Sequence, residues 1–253
     1  MFVDTHCHLD APLLTERLPT ILTRANDAGV TRFIIPGIAP EGWRRIMTLA
    51  AGDHQIFAAP GVHPLAAADF NMEVLEQLEQ LAGHAVAIGE IGLDYAHPPV
   101  PRELQRRAFR AQLNLAVRLE VPVIIHCRRA FADLLTILQE VQVRHLRGVM
   151  HAFSGSPEIA AECVKRGLHI GVAGAVTFAN AIRPLEVVRR TPLEKLLLES
   201  DAPDLTPTPH RGATNEPAFL VETAKIIAAV KGVTLDQIAA ETTSGAERLF
   251  RLR

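Results

Sequence analysis

Eight short apolar runs, at residues 2–5, 32–36, 56–60, 86–90, 123–126, 148–151, 169–172 and 195–199, alternate along the chain with longer amphipathic stretches. Strands separated by helix-length segments cannot pair as tight hairpins; they pair in parallel and need helices on the outer face of the sheet. Eight such units in 253 residues predict one TIM (β/α)8 barrel, an α/β fold of roughly 250 residues, as a single domain over 1–253. The stretch 103–119 carries Leu104, Ala108, Ala111, Leu115 and Leu119 at spacings of three or four, the helical period. Ser156-Pro157-Glu158 has the form of an N-cap, a first-turn proline and an acid matched to the helix dipole, with Gly167 as the stop. The Pro-rich stretch 202–217 follows the eighth run and is expected to be a loop, not a boundary.

Composition narrows the setting. No run of about 18 apolar residues free of charge occurs, so no membrane span is expected. The N-terminus lacks a basic segment followed by an apolar core, so no secretory signal is expected. Three cysteines do not make a disulfide framework, and a cytoplasmic location follows as the expectation. A net charge of −2 excludes a bulk electrostatic grip on nucleic acid while leaving room for a local basic pocket around one phosphate.

In a (β/α)8 barrel the chemistry is assembled from the C-terminal ends of different strands. His6 and His8 follow the first run, and period-two alternation turns both to one face. His63 follows the third run, Glu90 ends the fourth, His126 the fifth and His151 the sixth, and Asp201 follows the eighth. Any one histidine at a strand end can simply hydrogen-bond a loop carbonyl. So many at one rim point to a shared divalent-metal site, because neutral imidazoles and carboxylates are metal donors.

The ordered segments Asp4-Thr5-His6-Cys7-His8, Gly89-Glu90-Ile91-Gly92-Leu93-Asp94, Pro122-Val123-Ile124-Ile125-His126-Cys127-Arg128, His151-Ala152-Phe153-Ser154-Gly155, Leu198-Glu199-Ser200-Asp201-Ala202-Pro203 and Asn215-Glu216-Pro217 resemble the TatD family of metal-dependent hydrolases and deoxyribonucleases, within the amidohydrolase superfamily. The resemblance covers nearly the whole chain. It implies two divalent ions, zinc, manganese or magnesium: one on His6, His8, Glu90 and Asp201, the other on Glu90, His126 and His151, with Glu90 bridging. It also implies that Asp201 and Glu90 are catalytic, with Asp201 accepting a proton from the attacking water. His63 is expected at the pocket, against a substrate phosphate or in a structural hydrogen bond. Arg128, two residues past His126, is expected near a bound phosphate or in a surface ion pair.

Asp94 and Asp10 are candidates for orienting ligands from behind, and Asp133 for a cap or ion-pair partner. Cys7 and Cys127 alternate away from the neighbouring histidines and read as small buried fillers. His54, His84, His97, His145, His169 and His210 are not expected to be ligands. Arg211, Asn215 and Glu216 are expected to shape the pocket rim or to stiffen a closing loop. One tryptophan, Trp43, and one tyrosine, Tyr95, make a thin stacking track for single strands, with Phe70, Phe131, Phe153 and Phe178 as possible additions.

The expected activity is hydrolysis of DNA phosphodiester bonds, on single strands or ends, by a monomer using water activated by two divalent ions. A metal-dependent hydrolase of a small amide, ester or lactone is the alternative, since the same chemistry attacks carbonyls. A metal-stabilised binding protein without turnover is disfavoured, because a structural zinc needs only a closed tetrahedral set.

Overall fold

A computed structural model describes residues 1–96, 100–141 and 146–252. The expectations for His97 and His145 lie outside the described residues. Eight strands run through the chain: β1 (Phe2–Asp4), β2 (Val30–Pro36), β3 (Ile56–Ala59), β4 (Ile88–Asp94), β5 (Val123–Arg128), β6 (Gly148–Met150), β7 (Leu168–Val172) and β8 (Leu196–Leu198). Helices fill the connections: α1 (Pro12–Thr15) and α2 (Leu18–Asp27) after β1, α3 (Pro40–Gly52), α4 (Met72–Ala82), α5 (Arg102–Leu119), α6 (Phe131–Glu140), α7 (Pro157–Lys165) and α8 (Ile182–Arg190) after the next six strands, and α9 (Leu220–Lys231) with α10 (Leu235–Phe250) after β8.

Every paired strand is parallel, in two arcs, β1-β2-β3 and β4-β5-β6-β7-β8. Backbone bonds close both seams. Val86 N–H donates to Ala58 O at 3.0 Å and Gly89 N–H to Pro60 O at 3.1 Å across β3/β4, and Thr5 N–H donates to Leu198 O at 3.0 Å across β8/β1. The result is the single-domain TIM barrel that the alternation predicts. The helix starts also follow the sequence. Ser156 Oγ accepts Ile159 N–H at 3.4 Å to open α7, and Thr234 and Gln237 form a capping box on α10.

Two expectations need correction. The fourth run does not stop at Glu90, because Ile91, Leu93 and Asp94 continue to pair with Ile125, Cys127 and Arg128, after a register irregularity between Ile88 and Ile91. Glu90 therefore projects from within β4. Gly92 just beyond it has φ +143°, and a Cβ there would meet His126 O at 2.0 Å, so only glycine allows the two strands to approach. The second correction concerns α5, whose buried face includes Gln105 and Gln112 as well as Ala108, Phe109, Leu113, Leu115 and Ala116. Their amides explain the burial: each bonds a backbone unit at the barrel mouth, as described below.

The barrel is filled from beneath. Val3, Ile34, Ala59, Ala87, Ile124, Val149 and Leu197 form a buried cluster with Ala246, Leu249 and Phe250 of α10 and the adjoining Leu252. A second, larger cluster lies between sheet and helices, with Phe33, Phe109, Ile88, Ile91 and Ile125 fully buried. Because Phe250 is only 2% exposed at the barrel floor, Phe250→Ala is expected to lower stability by about 3–5 kcal/mol while leaving metal affinity within about twofold. Chemical denaturation and calorimetric metal titration of the variant check both.

Candidate metal centre

All seven residues singled out at the strand ends meet at the C-terminal mouth of the barrel. Glu90 stands at the middle. Its Oε1 lies 2.6 Å from His126 Nδ1, 3.6 Å from His63 Nε2 and 3.8 Å from His151 Nε2, and its Oε2 lies 3.3 Å from His6 Nε2. Asp201 Oδ1 faces the same nitrogens, 3.5 Å from His151 Nε2, 3.6 Å from His6 Nε2 and 3.8 Å from His8 Nε2. His6 Nε2 and His8 Nε2 are 3.3 Å apart, and the rings of His6 and His151 stack with centroids 3.4 Å apart.

Three sets of donors are close enough to hold a cation: His6, His8 and Glu90; His63, Glu90 and His126; and His6, His151 and Glu199. Ring nitrogens turned toward one another around two carboxylates are poor neighbours in pairs, and a divalent cation between them satisfies them together.

The electrostatics follow from crowding. Burial alone would raise the Glu90 pKa, but His151, His6, His63 and the His126 hydrogen bond outweigh it and hold the carboxylate well below its usual range. Burial would strip His126 and His151 of their protons. Bonds to Asp94 and Glu90 instead raise His126 to about 9, and Glu199, Asp201 and Glu90 raise His151 to about 10. Burial dominates at His6 and His8, which are pushed down, and lifts Asp201 to about 7. Two imidazoles thus carry positive charge where the donors converge.

His63 is oriented by the chain around it. Its Nδ1 accepts Leu65 N–H at 3.2 Å, which leaves the ring proton on Nε2, facing Glu90. Burial lowers its pKa to about 4, so the ring is neutral and donates from Nε2. Arg128 ends β5 exposed to solvent, beside Asp94 in the adjoining strand. Asp94 Oδ2 lies 3.2 Å from His126 Nε2, and its Oδ1 accepts Ala96 N–H at 2.8 Å. Asp10 pairs instead with Arg45 at 3.7 Å, and Asp133 accepts the Tyr95 hydroxyl at 2.6 Å.

The layer behind the mouth contains Asn215 and Glu216, which tie the closing loop as expected, and Asp4, Gln105, Gln112 and Glu199, to which the motif reading gave no role. Asp4, fully buried, accepts Ser200 N–H at 2.9 Å, Ser200 Oγ–H at 2.5 Å and His6 N–H at 3.3 Å, so it sets β1 against the loop carrying Asp201. Asn215 Nδ2 donates to Ser200 O at 2.7 Å and to Asp204 O at 2.5 Å. Glu216 beside it accepts Arg24 Nε–H of α2 at 2.9 Å. From α5, Gln105 brackets Asp94, accepting its N–H at 2.8 Å and donating to its carbonyl at 2.9 Å, while Gln112 accepts Val62 N–H at 2.7 Å just before His63. Glu199 accepts Ala152 N–H at 2.5 Å and lies 3.2 Å from His151 Nδ1. Of the four without an assigned role, only Glu199 had a legible signal, since alternation from Leu197 through Glu199 to Asp201 turns all three into the barrel.

Other side chains take structural places. Cys7, Cys127 and Cys163 are buried free thiols, with burial raising each pKa. Trp43 is buried and donates to Gly61 O at 2.9 Å, and Phe70 is buried as well, so neither offers a face to a ligand. Phe178 carries the Arg211 guanidinium 4.1 Å above its ring. His54 and His84 are exposed, and His210 stacks on Phe219 at 3.8 Å. Among the described residues no helix is long and apolar enough to cross a membrane.

Comparison with known proteins agrees with this geometry. The family model described as TatD related DNase matches residues 3–251. The chain is 41% identical over its whole length and the whole of its relative to an uncharacterized metal-dependent hydrolase, YabD, of Bacillus subtilis. It is 35% identical to YcfH of Escherichia coli, also an uncharacterized metal-dependent hydrolase, over 99% of this chain and 96% of that one. The crystal structure of YjjV, a TatD homologue from Escherichia coli, superposes with a TM-score of 0.94 at 34% identity, covering 100% of this chain and 98% of that one. A barrel whose mouth gathers histidines and carboxylates from the first, third, fourth, fifth, sixth and eighth strands, matched end to end by such relatives, places the chain in the TatD family of metal-dependent hydrolases.

Proposed function

We propose that the chain hydrolyses phosphodiester bonds in DNA, acting as a monomer on single strands or free ends, with two divalent ions at the barrel mouth. The observation that carries this reading is the Glu90 carboxylate, ringed by nitrogens of His6, His63, His126 and His151 within 3.8 Å. The nitrogen and oxygen donors suit zinc, manganese or magnesium. His6, His8, Glu90 and Asp201 would hold one ion, and Glu90, His126 and His151 the other. Bound divalent ions make water acidic and neutralise charge building on a phosphodiester.

The remaining work belongs to the chain. Asp201 Oδ1 faces both groups of nitrogens, and its carboxylate would accept a proton from the attacking water. His63 Nε2–H, fixed by the Leu65 amide, donates to a phosphate oxygen. Arg128, exposed at the end of β5, offers a planar guanidinium to the same or the adjoining phosphate. Every one of these groups comes from a single chain, so the proposed site needs no residue from a partner. Three buried free thiols suit the reducing cytoplasm.

One observation favours a second reading, hydrolysis of a small amide, ester or lactone. A largely apolar cavity of about 520 Å³, lined by Phe153, Val172, Val176, Val187 and Leu205, reaches Ala152 beside His151, and it would accept a small apolar group. End-labelled single-stranded DNA and a panel of simple esters and lactones, offered in parallel with zinc, manganese or magnesium, separate the two. Metal-dependent release of nucleotides is expected. Intact DNA alongside ester or lactone turnover would establish the second reading instead.

The ligand assignment has its own test. Glu90→Gln and His126→Ala are each expected to weaken metal binding by at least tenfold and to abolish detectable turnover, read by calorimetry and activity assay. Unchanged binding in both would refute the assignment.

The pH dependence has a definite sign. In the metal-free protein His126 and His151 keep their protons to about 9 and about 10, so a cation must displace them. Metal affinity should therefore rise with pH between 6 and 9, roughly tenfold per unit for each proton displaced. Titrations in buffers of different ionisation enthalpy count those protons, and an affinity flat across this range would contradict the expectation.

A further inference from the structure

Glu199 is fully buried at the barrel mouth, yet the reaction proposed above gives it no task. Its Oε1 accepts Ala152 N–H at 2.5 Å and lies 3.2 Å from His151 Nδ1. Ala152 directly follows His151, so one carboxylate oxygen bonds the backbone behind that histidine and stands beside its ring, whose buried Nδ1 has no other hydrogen-bond partner among the described residues. Space for the carboxylate comes from β7, where a Cβ on Gly171 would stand 2.6 Å from Glu199 Oε2. Ala152 holds a left-handed backbone, φ +38°, which non-glycine residues adopt only when their surroundings demand it. The Ala152 backbone, the His151 ring and Gly171 thus crowd around one buried acid.

We propose that Glu199 is a positioning residue: it holds the Nδ1–H of His151 and thereby presents Nε2, with its lone pair free, to the metal centre between Glu90 and Asp201. The proposal rests on His151 being a metal ligand, as assigned above. A histidine ligand needs its second ring nitrogen bound, to select the tautomer and fix the ring, and loss of such a partner typically costs 10–100-fold in metal affinity. Glu199 Oε1 stands within reach of His151 Nδ1, and the missing side chain of Gly171 leaves room for it there.

The test uses the full chain and zinc, with calorimetric affinity and stoichiometry and 15N chemical shifts of the histidine rings as readouts. Glu199→Ala is expected to weaken zinc binding by about 10–100-fold at unchanged stoichiometry, with the His151 ring shifting from one tautomer to a mixture. Glu199→Gln keeps the shape and an acceptor for the Ala152 amide, so it should fold normally and lose less. Gly171→Ala displaces the carboxylate without removing it. It should weaken binding in the wild-type chain and have no effect in the Glu199→Ala background. Unchanged affinity and tautomer in Glu199→Ala, or an equal loss from Gly171→Ala in both backgrounds, would overturn the proposal. So would a drop in stoichiometry, which would make Glu199 a direct ligand with His6 and His151. His151→Ala serves as the control: if it binds zinc as tightly as wild type, the ligand assignment fails, whereas a loss there with none in the Glu199 variants defeats the positioning role alone.

Discussion

The site depends on how the barrel closes. β1 and β8 are separated by nearly the whole chain, yet Thr5 bonds Leu198, Asp201 N–H bonds His6 O at 2.9 Å and His8 N–H bonds Ala202 O at 2.7 Å. Asp4 adds a buried carboxylate that takes both the amide and the hydroxyl of Ser200. These bonds place the two histidines of the first strand and the acid of the last on one small patch of rim. A buried carboxylate is costly unless its oxygens are satisfied, and Asp4 finds its Ser200 partners only in the closed barrel. Closure and assembly of the site are therefore one event.

The same economy appears on the other side. Glu90 sits within β4, not at its tip, because Gly92 lets β4 and β5 remain in contact past it. Its position brings it within reach of nitrogens from four strands, and their combined attraction offsets the burial that would otherwise protonate it. In return it helps keep His126 and His151 charged. The metal-free centre balances its charges only in part, with His6 Nε2 and His8 Nε2 still turned toward each other, and that layout is the one a cation completes.

Much of this is legible in the sequence, for physical reasons. Strand and helix periods differ, so eight βα units can be counted without knowing how they touch, and the barrel rule then sends the strand-end histidines and acids to one rim. The boundary of β4 is not legible, because continuation past Glu90 depends on pairing with β5. Gln105 and Gln112 are not legible either. On a helix a glutamine reads as solvent-facing, and only the backbone of Asp94 and Val62 nearby makes burial favourable. Arg45 taking Asp10, where a ligand partner was expected, is likewise a fact of tertiary packing. Side chains whose role is set by their own strand can be anticipated, while those whose role is set by a neighbour wait for the fold.

The floor of the barrel carries a last consequence. Phe250, Leu249 and Ala246 of α10, with Leu252, occupy the lumen beneath the strands, so the chamber is a well and not a tunnel. Entry and exit share one opening. Whatever the metal centre takes must be presented from the rim, and what it releases must leave by the same mouth before the next bond can be offered.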